Sequence, residues 1–121
     1  MFKTLTAGLA VAAALALAPA ALAHPHINSG SPAPGATVSA SPAELRIAFS
    51  EGVFPKFSGV VLTNQSGAVI KTGAARVDAD NKVLIVPVLA KLTPGAYAVA
   101  WHAVSTDTHR VKGTYSFKVA G

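Results

Sequence analysis

Three histidines and one carboxylate are the residues of this chain whose placement allows metal chemistry. His24 and His26 flank Pro25, and Asp107-Thr108-His109 lies near the other end. Ahead of His24 stands Ala21-Leu22-Ala23, the small-residue pattern after which signal peptidase cuts. A cut after Ala23 makes His24 the first residue. Its ring Nδ1 and its free α-amino nitrogen then grip one ion as a chelate. Read as extended chain, Asp107 and His109 point to the same side, so a carboxylate oxygen and an imidazole nitrogen face one point. Amine, two imidazoles and a carboxylate make three nitrogens and one oxygen, a set suited to Cu(II) in a near-square plane.

The rest of the composition narrows the metal. The chain has no cysteine, and its one methionine is Met1. Disulfides, thiolate sites and a cysteine nucleophile are excluded, and Cu(I), which prefers sulfur, is poorly served. His26 in third place offers a second Cu(II) mode, with the amine and two deprotonated backbone amides. That mode needs an N–H at the second residue, and Pro25 has none. Copper is therefore pushed toward Asp107 and His109, and His26 is left as an axial or outer ligand. The fourth histidine, His102, falls on the strand face opposite Trp101 and reads as a packed or surface residue.

These residues need a frame. Residues 1–23 start with Lys3, run apolar from Leu5 to Ala18 and break at Pro19, which reads as a signal peptide removed on export. About 98 residues then remain, enough for one domain with one core, residues 24–121. The formal charge of +5 becomes +4 when Lys3 leaves. The cations are scattered singly with no aromatic platform among them, which argues against nucleic acid as a partner.

Apolar alternation predicts strands at Ile27–Ser29, Leu45–Phe49, Gly59–Thr63, Ala68–Ile70, Val83–Val86, Ala96–Ser105 and Thr114–Val119. Leu45, Ile47 and Phe49 should face inward, as should Tyr97, Val99 and Trp101. Val83–Val86 is apolar on both faces and should be central. Turns are expected at Pro32-Ala33-Pro34-Gly35, Asn64–Gly67, Asp78–Asn81 and Leu92–Gly95, and a polar loop over Thr106–Lys112. About seven short strands and no credible helix predict an all-β fold, a sandwich or Greek-key barrel.

Four segments bear a resemblance to a known family. They are His24-Pro25-His26 with Ser31–Ala36; Phe49-Ser50-Glu51-Gly52-Val53; Leu92–Trp101; and Val104–His109 with Gly113–Phe117. In this order they resemble the CopC family of periplasmic copper-binding proteins. The resemblance implies a Greek-key β-barrel, cupredoxin-like or immunoglobulin-like, with a Cu(II) site at the mature N-terminus. His24 matches the N-terminal ligand, Asp107 the carboxylate and His109 the second histidine. Glu51 matches an acidic position either on the metal or just behind it. Some members carry a methionine-rich Cu(I) loop, which this chain lacks.

The reading that follows is a monomeric, periplasmic Cu(II)-binding protein that buffers or carries copper in resistance or uptake, with no catalytic step. The resemblance also implies an inner-membrane partner of the CopD type. The alternative is a copper-dependent oxidative enzyme with a His-led site. That chemistry needs an open coordination position and an aromatic substrate face, whereas here a carboxylate fills the fourth place and the aromatics fall mostly on core faces. A purely structural sandwich is what the strand pattern alone would support.

Overall fold

The computed structural model describes residues 26–121. The expected signal segment, its cleavage after Ala23, His24 and Pro25 lie outside the described residues. Among the described residues nine strands run in chain order: β1 Ile27–Ser31, β2 Thr37–Val38, β3 Glu44–Phe49, β4 Gly59–Asn64, β5 Val69–Ile70, β6 Arg76–Val77, β7 Val83–Pro87, β8 Gly95–Val104 and β9 Arg110–Val119. A 3-10 turn, Pro55–Phe57, separates β3 from β4. The strands form two sheets, ordered β1-β3-β7-β6 and β2-β9-β8-β4-β5. Every pairing is antiparallel except β2 with β9.

The inward residues are those that the alternation predicts. Leu45, Ile47 and Phe49 of β3 and Leu84 and Val86 of β7 meet Leu62 of β4, Tyr97 and Val99 of β8, and Phe117 and Val119 of β9. Alternation puts all the apolar side chains of a strand on one face, so two sheets with such faces close over each other and expel water. Trp101 packs edge-on against Phe49 with centroids 5.4 Å apart, and Tyr97 stacks on Phe117 at 5.7 Å. β7, apolar on both faces, lies inside its sheet between β3 and β6.

The structure corrects the expected elements in three places. β2 and β6, of two residues each, pair at sheet edges and are too short to show a period. β9 begins at Arg110, not Thr114. Arg110 and Lys112 are exposed while Val111 is half-buried, so a strand alternation lay hidden in the expected polar loop. The continuous ladder with β8, from Gly95↔Val119 to Val104↔Arg110, holds this polar stretch extended. Gly113 is thereby a strand residue facing Trp101, not a loop residue.

Candidate metal centre

The ladder of β8 and β9 leaves only Ser105–His109 to connect them. The Ser105 N–H donates to the His109 carbonyl at 2.9 Å, and the Thr108 N–H donates to the Ser105 carbonyl at 2.8 Å. Thr108 sits in the left-handed region at φ 73°. These features define a three-residue hairpin loop, a turn closed by one left-handed residue. A β-branched residue rarely takes that conformation, and holding it there costs on the order of 1–3 kcal/mol. Asp107-Thr108-His109 is therefore not the extended segment that the sequence implied.

The turn brings the two side chains together by another route. His109 Nδ1 is 3.0 Å from Asp107 Oδ1. Both side chains are about half exposed, 52% and 46%. Ser105, fully buried, lies beneath them. Its hydroxyl donates to Asp107 Oδ1 and accepts the His109 N–H at 3.1 Å. The Ser105 hydroxyl first, and the His109 ring second, hold the Asp107 carboxyl below its ordinary range. Asp107 is thus an oriented anion at neutral pH, which suits it to a cation.

Sequence reasoning gave Ser105 no role, although the signal was present. Counting by twos from Tyr97 through Val99, Trp101 and Ala103 arrives at Ser105, so a hydroxyl continues the inward-facing side one residue past the end of β8. A buried hydroxyl needs a partner, and the nearest carboxylate in the chain is Asp107.

Two further segments are bonded to this turn or to each other at the same end of the sandwich. The Thr106 N–H donates to the Gly52 carbonyl at 2.9 Å, and Val53 bridges to Ser105. The segment carrying Glu51 is in this way fastened to the Asp107 turn. On its other side, the His26 N–H donates to Ser50 Oγ at 3.0 Å and the Ser50 N–H to the His26 carbonyl at 2.9 Å. The chain thus enters β1 beside the Glu51 segment. His102 stands apart on the exposed face, opposite Gly59 and Lys112 in the ladder. Among the described residues no three of His, Asp and Glu gather at one point. Of the expected ligands among the described residues, Asp107 and His109 are in contact.

The described residues form an all-β sandwich with an Asp-x-His turn at the end where the chain enters β1. The chain belongs to the CopC family: the model for the CopC domain matches residues 27–120. It is 47% identical over 89 residues to protein YobA of Escherichia coli (strain K12), covering 73% of this chain and 72% of that protein. It is 42% identical over 94 residues to copper resistance protein C of Xanthomonas campestris pv. juglandis, covering 73% of each. Among solved structures it resembles PcoC, a methionine rich copper resistance protein from Escherichia coli. There the TM-score is 0.71 and the identity 35%, over 80% of this chain and 99% of that one.

Proposed function

We propose that this chain is an exported copper-binding protein that holds one Cu(II) ion through His24, Asp107 and His109. In this reading residues 1–23 are removed, and His24 supplies its α-amino nitrogen and its ring. Asp107 and His109 complete the plane. Glu51 stands on the metal or just behind it, and His26 takes an axial or outer place. Binding, not turnover, is the activity. The protein acts as a periplasmic monomer that buffers or carries copper, exchanging it with an inner-membrane protein of the CopD type.

The observation that carries this reading is the oriented Asp107–His109 pair, fastened through Ser50–Val53 to the start of β1. His24 lies two residues before His26, and two residues span at most about 7 Å. In this reading a donor on His24 has only that short reach to cover from His26, whose backbone is bonded to Ser50. The donor types support the choice of Cu(II). PcoC is a methionine rich copper resistance protein, whereas this chain has no methionine after Met1 and no cysteine. Nitrogen and oxygen donors favour Cu(II).

Intact-mass analysis of the exported protein, with and without Cu(II), tests the reading. His24 should be the first residue and one copper should bind per chain. Asp107→Asn and His109→Ala should each lower Cu(II) affinity by more than about 10–100-fold, the usual cost of losing only a partner behind a ligand. His26→Ala should cost much less. A different first residue, or unchanged affinity in His109→Ala, refutes the site.

A further inference from the structure

Where β1 begins, a side chain takes the place of a backbone group in its ladder with β3. The Ser50 N–H donates to the His26 carbonyl at 2.9 Å, but the His26 N–H donates to Ser50 Oγ at 3.0 Å, not to a carbonyl. An antiparallel pair ordinarily exchanges two backbone bonds. Here the partner's backbone has already turned away. The Gly52 carbonyl accepts the Thr106 N–H at 2.9 Å, and the Val53 N–H donates to the Asn81 carbonyl at 2.7 Å. Gly52 lies so close to the metal turn that a Cβ there would stand 3.3 Å from Thr106 Cγ2. The Ser50 hydroxyl thus reaches back to the incoming chain while the backbone after it runs to the Asp107 turn.

The bond to Ser50 Oγ has a consequence for the residues ahead of it. The His26 N–H belongs to the amide that joins His26 to Pro25, and an amide is planar. One hydrogen bond on that N–H therefore sets the plane in which the chain runs back to Pro25. The proline ring fixes its own φ near about −65°. Between that plane and the α-amino nitrogen of His24, the soft backbone torsions are ψ of Pro25 and ψ of His24. The second bond of the pair, to the His26 carbonyl, acts on the amide that follows and cannot set this one.

We infer that Ser50 is a positioning residue for copper: by holding the His26 N–H, its hydroxyl aims the amine of His24 at the Asp107–His109 turn. The inference rests on the copper reading above and adds to it the residue that pre-organises the N-terminal arm. Ser50 and Pro25 share the task, one fixing an amide plane and the other a torsion. Without the hydroxyl, φ of His26 joins the torsions that the metal must order, and that ordering is taken out of the binding free energy. A residue that only closed the β1–β3 ladder would affect stability, and its loss would be felt equally whichever residue came first in the chain.

The test crosses two changes in the mature protein: Ser50→Ala, and one alanine added ahead of His24, which separates the α-amine from the His24 ring. Cu(II) affinity is read by competition against a chelator. With His24 first, Ser50→Ala should lower affinity about tenfold, the low end of the range for groups that orient a ligand. Ser50→Thr keeps the hydroxyl and should stay within about twofold of the wild type, the scatter expected of uncoupled changes. With the added alanine, Ser50→Ala should again cost less than about twofold, because the amine it aims is gone. In the metal-free protein, the His26 amide should exchange with solvent faster in Ser50→Ala than in the wild type. The inference is overturned if Ser50→Ala leaves affinity or His26 exchange unchanged, if Ser50→Thr loses as much as Ser50→Ala, or if the loss is the same in both backgrounds. The added alanine keeps this inference apart from the site itself. If it lowers affinity while Ser50→Ala does not, the positioning role alone fails. If it lowers nothing, the amine is no ligand, and the site at His24 fails together with the role of Ser50.

Discussion

Replacing Ser105 by Ala removes two interactions of different kinds. The first is structural. Ser105 Oγ accepts the His109 N–H at 3.1 Å within a fully buried position. Losing one such bond costs about 1 kcal/mol, and a domain of this size loses ~4–8 °C of Tm for each kcal/mol. The second concerns the site. Asp107 Oδ1 is held by the Ser105 hydroxyl and by His109 Nδ1. Without the hydroxyl the carboxylate keeps one tether and samples other rotamers, and the metal must order it. The expected loss of Cu(II) affinity is the ~10–100-fold typical of a group that orients a ligand. Ser105→Thr separates the two effects. It keeps the hydroxyl but forces a methyl into a closed space, so Tm should fall while affinity stays near that of the wild type. The assay is a competition titration against a Cu(II) chelator, with thermal unfolding followed on the same samples. In the metal-free protein, the Asp107 carboxyl of Ser105→Ala should titrate closer to its ordinary value, because the first cause of its lowering is gone. Equal affinity in the Ala and Thr variants would falsify the positioning role, as would an unmoved Asp107 titration.

Two further outcomes follow from the same structure. Gly113→Ala would place a Cβ 2.6 Å from Trp101 Cζ2 and 2.9 Å from Cε2, so overpacking should cost about 1–3 kcal/mol; a Tm within error of the wild type in thermal unfolding would show that the ring is free to shift. Stability should decline at both pH extremes. Glu44, lowered chiefly by Arg46, Asp78, lowered chiefly by the Val83 N–H, and Asp107 have depressed folded values. Their contribution is complete above the unfolded values of 4.5 and 3.8 and is lost as pH falls through the folded ones. Burial pushes the Tyr115 hydroxyl from 10.0 to about 12. Between these values the unfolded chain ionises first, so stability should fall as pH rises from 10.0 toward 12. Denaturant midpoints across pH should trace both limbs, and Tyr115→Phe should remove Tyr115's share of the alkaline one.

Much of the frame is set by period and by residue type. The inward faces of β3, β8 and β9 follow from two-residue alternation, because a pleated strand has only two faces and water sorts them. β7 is central because it has no polar face to give to water. Pro32-Ala33-Pro34-Gly35 turns where it must, with Gly35 at φ 78°. The donor types also stand in the sequence: no sulfur after Met1, a proline that blocks the amide mode, and an aspartate two residues before a histidine. Tertiary structure alone decided three matters. Edge strands β2 and β6 exist through their partners, since two residues carry no period. The polar stretch from Arg110 to Lys112 is strand because the β8 ladder satisfies its backbone. The approach of Asp107 to His109 comes from a left-handed Thr108 over a buried Ser105. Local preference would not choose that conformation for a β-branched residue, and only the closure of the β8–β9 ladder on both sides holds it there.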